Sequence, residues 1–362
     1  GAKTDPWRTP NVIWKKHEYV PNQLRHNPKT QNSWLCQSQA WRKEEGSAVG
    51  LQPTQVKTKH ATETTQQKTH QLRQEREEGG QDSTVMISRM KGSGERRKEA
   101  RALKSQLLTA KSRTKIGTWN VRTLYSTGKL AQVINEMRQY QLDILGISEM
   151  RWTDSGKIES DGMTIYYSGG TKHEKGVGII LTKEMAKSVI AWEPASERII
   201  MVRIETRYTK VTLIQVYAPT NAAEDQEKDE FYELLQDILD ATPEHDMKII
   251  MGDFNAQIGR DNTGWEETLG KEAIGVRNEN GERLLSYCSS NKLKIGGSMF
   301  RHKNIHLGTW RSPNGSTVNQ IDHICYQRRW ASSVQDVRAH RGADVGSDHY
   351  LVVATLKVKL KS

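Results

Sequence analysis

The stretch Ile249-Ile-Met-Gly-Asp-Phe-Asn-Ala256 constrains the fold more than any other part of this sequence. Three apolar residues run into a glycine, then an aspartate, then, two positions on, an asparagine. An apolar run bounded in this way reads as a buried strand that reaches the edge of a sheet. Asp253 and Asn255 then stand at its C-terminal mouth, and the strand period of two points both side chains the same way. A carboxylate and an amide side by side can grip a water and a phosphate oxygen. An Asp/Asn turn closing a core strand explains the octapeptide alone equally well.

The pattern recurs along the chain. Ile116-Gly-Thr-Trp119 is a short strand followed by Asn120. Leu130, Val133, Ile134 and Met137 have helical spacing up to about Tyr140. Leu142 to Ser148 is a strand that stops at Glu149, so strand, helix and strand make an α/β layer. Runs at 163–168, 177–182, 199–205 and 210–217 follow with few helices between them, and antiparallel ladders are expected. The last ends at Tyr217-Ala-Pro-Thr220, where proline stops it. An acidic helix is expected over 224–241, with Phe231, Leu234, Leu235, Ile238 and Leu239 on one face. Beyond the 249–256 stretch come a helix over 281–291, a strand at 292–295, a strand carrying Asp322 in Gln320–Cys325, and a final strand over 350–358 after Asp348-His349. No internal repeat is visible.

Asn120, Glu149, Tyr217, Asp253, Asn255, Asp322, Asp348 and His349 thus each lie at or beside a strand end. Strand ends of a layered α/β fold converge on one rim, so these side chains read as a catalytic constellation. Glu149 suits a hard divalent cation such as Mg²⁺, which polarises a phosphoryl oxygen and steadies a leaving oxygen. Asp322 can fix the tautomer of His349. Asp253 can position or deprotonate water. Asn120, Asn255 and Tyr217 can donate to phosphate oxygens, although singly Asn120 and Tyr217 also fit a cap and a core residue. No covalent nucleophile stands out, which favours attack by water.

Charge divides the chain. Residues 1–114 hold 22 Lys and Arg against 11 Asp and Glu, whereas residues 115–362 hold 32 of each, so the formal excess of +11 lies wholly in the first part. That part has almost no apolar periodicity and reads as a disordered basic leader over 1–113, with the folded domain over 114–360. Trp7, Trp14, Trp34 and Trp41 sit among its polar residues, where base stacking and an unselected leader are both open readings. The run Arg89–Arg113, centred on Arg96-Arg97-Lys98, fits a nuclear-import signal, a phosphate-binding arm or a solvated linker. Residues 291–341 are basic again, with nine Lys and Arg against two Asp, and Phe300, Trp310, Tyr326 and Trp330 interleaved. Such a zone can track a phosphate backbone. Cys36, Cys288 and Cys325 show no metal spacing and fit a reducing compartment. No apolar run of 18 residues occurs, so no membrane span and no membrane partner are expected. Nor is there the apolar core of a secretory signal near Gly1, where the lack of a methionine reads as a fragment or a processed chain.

Taken in order, Gly-Thr-Trp-Asn120, Ser-Glu149, Tyr217-Ala-Pro-Thr, Gly-Asp253-Phe-Asn255, Ile-Asp322-His and Ser-Asp348-His349 resemble the endonuclease/exonuclease/phosphatase superfamily over about residues 114–358. Thr309-Trp-Arg-Ser-Pro-Asn-Gly315 followed by Asn319-Gln-Ile-Asp322 is similar to the apurinic-like endonuclease of RTE-type non-LTR retrotransposons. The resemblance implies a four-layer αββα sandwich of two mixed sheets. It implies Mg²⁺-dependent hydrolysis of phosphoesters, Mn²⁺ being a substitute, with DNA as the substrate. By motif, Glu149 is the principal metal ligand with Asn120 beside it and Asp348 a further metal-side carboxylate. Asp253 activates water, Asn255 and Tyr217 hold the phosphate, and Asp322 orients His349. Arg122, Arg151, Thr220, Arg301, Trp310 and Arg311 are the candidate nucleic-acid contacts. Apurinic endonucleases proper carry Asp where this chain has Arg122, and Asn where it has Thr220, which counts against specificity for abasic sites.

A retrotransposon protein would continue into a reverse transcriptase. The end at Ser362 reads as a truncated copy, a fragment or a domesticated domain, with any reverse transcriptase supplied by another chain. The expectation is a monomeric nicking endonuclease of the nucleus, the cytoplasm remaining open. Its rivals are a superfamily phosphatase and an inactive retroelement relic that binds nucleic acid or protein.

Overall fold

The computed structural model describes residues 112–359. The leader with its four tryptophans, Cys36 and nearly all of the basic run lies outside the described residues. The strands run in the order β1 (Thr114–Asn120), β2 (Ile144–Ser148), β3 (Ser155–Ser160), β4 (Met163–Ser168), β5 (Val177–Thr182), β6 (Val189–Ser196), β7 (Ile199–Glu205), β8 (Lys210–Tyr217), β9 (Met247–Asp253), β10 (Leu293–Ile295), β11 (Trp310–Arg311), β12 (Val318–Asn319), β13 (Asp322–Gln327), β14 (Val334–His340) and β15 (Leu351–Leu356). The helices are α1 (Lys129–Gln139), α2 (Lys183–Ala186), α3 (Asp225–Ala241) and α4 (Glu279–Ser290).

One sheet has seven strands, ordered β14-β15-β1-β2-β5-β4-β3, and the other six, ordered β10-β13-β9-β8-β7-β6. Each is mixed, with one parallel pair near its centre, β1 with β2 and β8 with β9. The sheets face each other across a core that includes Ile144, Ile179, Val202, Leu213, Ile249 and Val352. Helix α1 packs Val133, Ile134 and Met137 on the outer face of the first sheet, against Leu145, Ile147 and Val353. Helices α3 and α4 cover the second sheet, with Leu235, Ile238, Leu284 and Cys288 against Ile214 and Ile250. The result is the expected αββα sandwich. It explains the unbroken apolar character of Ile249-Ile250-Met251. Ile249 faces the other sheet and Ile250 the helices, so both faces of the strand are buried. Each such isoleucine, fully buried, contributes about 1.5–3 kcal/mol.

Local chemistry sets the element ends. Asn278 caps α4, its Oδ1 accepting the Gly281 N–H at 2.8 Å. Asp225 and Glu227 sit in the first turn of α3, where carboxylates suit the helix dipole. Gly146 in β2 has no alternative, because a Cβ there would lie 1.8 Å from Gln215 Oε1 of the opposite sheet. The four runs expected as ladders do pair antiparallel, but as two couples in different sheets, β4 with β5 and β7 with β8. The chain crosses between sheets through β6, which escaped the sequence reading together with β3 and β14. These strands lie at sheet edges. β3 is largely exposed and β6 carries Pro194, so neither shows a clean apolar period. Among the described residues no helix is long and apolar enough to cross a membrane.

Candidate active site

Strand register builds the deep part of the site. Asp253 ends β9 and stands opposite Tyr217 at the end of β8 and Asp322 at the start of β13. Asn120 ends β1, paired with Ser148 of β2, and Glu149 follows directly. His349 immediately precedes the segment leading into β15, beside β1. The strand ends of both sheets therefore deliver their polar residues to one rim.

The contacts are specific. The Asn120 amide donates to Asp253 Oδ2 at 2.9 Å and to Glu149 Oε2 at 3.2 Å. His349 Nδ1 bonds Asp322 Oδ2 at 2.9 Å, and its Nε2 lies 3.9 Å from Asp253 Oδ2. Asp253, Asp322 and His349 are all buried, and a ligand atom of each lies within 4.8 Å of the others, a group able to hold a metal ion. Asp322 Oδ1 is buried with no hydrogen-bond partner. Carboxylate oxygens from Glu149, Asp253 and Asp322 beside one imidazole fit a hard divalent cation.

Burial and neighbouring charge shift the acids and bases. Burial first, and Asp322 second, push the Asp253 carboxyl up to about 7, against the pull of His349 and the Asn120 amide. Burial alone would lower His349, but Asp322, with help from Asp253 and Asp348, carries it up to about 9. Burial, then Glu149 and Asp253, hold the Tyr217 phenol above its ordinary range. The Arg198 guanidinium lies over the Tyr217 ring at 5.4 Å from its centroid and donates to the Tyr217 carbonyl at 3.0 Å.

The outer part is made by loops. Arg122, Glu149, Arg151 and Asn255 all have φ between 51° and 60°, the left-handed region. Such backbone costs a residue with a Cβ about 1–3 kcal/mol and clusters at functional sites. Asn255 does not continue the strand. β9 ends at Asp253, whose Oδ1 accepts the Asn255 N–H at 2.9 Å, and the Asn255 amide donates to the Ala218 carbonyl at 3.0 Å. The strand period therefore does not set its direction; a local turn does.

The other expected site residues have these surroundings. Asn120 Oδ1 accepts the Arg122 N–H at 2.9 Å while its amide nitrogen bridges the Glu149 and Asp253 carboxylates. Arg151 Nη2 lies 2.5 Å from Glu149 Oε1 and is a partner of that carboxylate. Asp348 accepts from Trp310 Nε1 at 3.0 Å and faces Arg122 Nε at 3.7 Å. Trp310 thus fixes a site carboxylate through its indole N–H. Arg122 is 56% exposed and turned to Asp348. Thr220 is exposed on the loop after β8. Arg301 is exposed and follows the chain into His302, which binds Asp336 at 2.7 Å; Asp336 pairs with Thr355, four residues down β15 from the site end. The aromatic residues of the basic zone are mostly core. Tyr326 is buried between the sheets, and Phe300 and Trp330 pack against that core. Only Trp310 of the four adjoins the site.

The sequence reading missed the groups that hold the site together. Ser148 Oγ donates to the Val216 carbonyl at 2.7 Å and accepts from Gln215 Nε2 at 2.9 Å and the Asp253 N–H at 3.3 Å. Thr118 Oγ1 donates to Gln215 Oε1 at 3.2 Å. This buried network bolts one sheet to the other beneath the carboxylates. Thr309 Oγ1 accepts the N–H groups of Ile321 and Asp322, each at 3.0 Å, while its carbonyl accepts the Tyr350 N–H at 2.6 Å. It therefore ties Asp322 to the segment carrying His349. A polar residue inside a strand's inner face was the available signal for Gln215; Thr309 opens the Thr309–Gly315 motif, but nothing in the sequence marked it as an acceptor for Ile321 and Asp322.

The sequence matches the Endonuclease/Exonuclease/phosphatase family over residues 117–349. The chain belongs to that family. It is 42% identical over 258 residues to craniofacial development protein 2 of Bos taurus, covering 71% of this chain and 43% of that protein. The chain thus spans less than half the length of this relative. Its fold is similar to that of an AP endonuclease from Archaeoglobus fulgidus, with TM-score 0.52 and 19% identity over 68% of this chain and all of that one. The endonuclease domain of TRAS1, a telomere-specific non-LTR retrotransposon, superposes with TM-score 0.50 and 15% identity over 69% of this chain and all of that domain.

Proposed function

We propose that this protein is a Mg²⁺-dependent endonuclease that hydrolyses DNA phosphodiester bonds, nicking in the manner of retrotransposon endonucleases. One observation carries the reading: Asp253 sits between the Asn120–Glu149 pair and the Asp322–His349 pair, within reach of both. Asp253, with its carboxyl near neutrality, is matched to taking a proton from water at ordinary pH. His349, kept cationic by Asp322, offers Nε2 and positive charge to a phosphoryl oxygen as charge builds there. Tyr217, held as the neutral phenol, remains a hydrogen-bond donor. Glu149 would hold the cation, whose charge offsets that of the phosphate and leaving oxygen. The basic excess within residues 1–114 and the proposed DNA substrate favour work in the nucleus.

The test is conversion of supercoiled plasmid to nicked circles by the full chain with Mg²⁺. Cleavage should vanish with EDTA and in His349→Ala. Equal behaviour of wild type and variant would overturn the proposal. A second reading, a domain that binds DNA without turnover, is favoured by the guanidinium already seated on Glu149. Tight plasmid binding with no Mg²⁺-dependent product would select it.

A further inference from the structure

An open cleft of about 750 Å³ adjoins the site between the β11–β12 turn and the segment joining β14 to β15. Arg122, Arg311 and Arg341 line it, together with Asp344 and Asp348. Two of the arginines are fixed to the reaction centre through their backbones. The Arg122 N–H donates to Asn120 Oδ1 at 2.9 Å, and the Arg311 N–H donates to the Asp348 carbonyl at 2.9 Å. The third stacks, Arg341 lying over the Tyr350 ring at 5.1 Å. Among the described residues neither Arg311 nor Arg341 forms an ion pair, and Arg122 meets only Asp348, at 3.7 Å. One of the acids is itself partly committed, since Asp348 accepts from Trp310. Arg311 Nε reaches only the Gly315 carbonyl, at 3.4 Å. Three planar guanidinium groups lining one cleft from its two sides, with few partners of their own, match the oxygens of a phosphate better than any neutral ligand.

We infer that this cleft seats a second phosphate of the DNA strand, beside the scissile one, and so makes the site selective for a polynucleotide over an ester with a single phosphate. The inference rests on the proposed DNA cleavage and names what that site demands of its substrate. Because Arg122 and Arg311 hang from Asn120 and Asp348, a phosphate held in the cleft is also held in register with the reaction centre. That is positioning, which an isolated phosphodiester cannot exploit.

The experiment compares full-length wild type with Arg311→Ala, Arg341→Ala and Arg341→Lys. Binding of a fluorescent 20-base-pair duplex is followed by anisotropy in EDTA across a NaCl series. Turnover is followed with Mg²⁺ on the same duplex and on bis(p-nitrophenyl) phosphate, which has one phosphate. Each alanine should weaken duplex binding roughly three- to tenfold and reduce the slope of log Kd against log [NaCl] by about one. Loss of duplex turnover should exceed loss on the single-phosphate ester by about fivefold or more. Arg341→Lys should fall between, keeping the charge without the fork. Lys210→Ala, at the start of β8 on the opposite rim, controls for loss of a generic charge and should leave the slope within about 0.3 of wild type. Unchanged affinity and slope in both alanine variants, or equal losses on the two substrates, would overturn the inference. If no substrate is turned over, the nuclease reading fails, while the binding series still judges the cleft.

Discussion

The inner and outer halves of the site are built on opposite principles. Asp253, Asp322 and His349 are buried and delivered by strand register, with Asn120 tying them to their neighbours. Glu149, Arg151, Arg122 and Asp348 stand on loops, three of them in left-handed backbone, and are joined by ion pairs open to water. The inner half is held by packing and buried hydrogen bonds, which change little with salt or occupancy. The outer half is held by contacts worth little individually, and so is free to exchange a guanidinium for a metal or a phosphate. Rigid, buried acids and an imidazole thus sit against an adaptable charged edge.

The largest effects are expected in the inner half. Asp253→Asn and His349→Ala should each lower kcat on plasmid by about 10²–10⁴-fold. Asp253→Asn should not lower Tm at pH 8, because it removes a carboxylate whose ionised form burial disfavours. A Tm loss matching the activity loss would assign Asp253 to the fold instead. Next comes Thr309→Val, which leaves the buried N–H groups of Ile321 and Asp322 without their acceptor. It should cost about 1–3 kcal/mol in urea unfolding, and Thr309→Ser should restore most of it.

Stability against pH separates the halves further. His349 is raised in the folded state from 6.5 to about 9. Its contribution is therefore complete below about pH 6.5 and is lost as pH rises to about 9, the folded state alone holding the proton in between. Asp253 acts in the same direction at lower pH, its raised carboxyl making the folded state less stable as pH climbs to about 7. The metal-free protein should lose up to about 3 kcal/mol between pH 6.5 and 9, and His349→Gln should flatten that fall. The smallest effect belongs to the outer half. Arg151→Ala frees a Glu149 oxygen and should tighten Mn²⁺ binding, read by titration calorimetry, by up to about fivefold. Weaker binding in that variant would make Arg151 a support of the metal site and not its rival.

The same division explains what could be read from the sequence. Asp253, Asp322, Tyr217 and Asn120 were legible because apolar runs announce strands and a strand end announces a rim. The elements α1 and α3 were legible from their 3.6-residue period. Edge strands β3 and β6 were not, since half of an edge strand faces water and the period dissolves. The turn at Asn255, the Arg151–Glu149 pair and the Thr309 acceptor were hidden because each depends on a backbone angle or a distant contact that residue type does not encode. The Gln215–Ser148 bolt gave only a faint sign, a polar side chain where a strand interior calls for an apolar one.

Anomalous diffraction from crystals soaked in Mn²⁺ tests most directly whether the two halves share one centre. An ion should lie about 2–2.5 Å from a Glu149 oxygen and near Asp253, with the Arg151 guanidinium moved off that carboxylate. No ion at Glu149 at saturating Mn²⁺, with Arg151 still paired to it, would contradict the account.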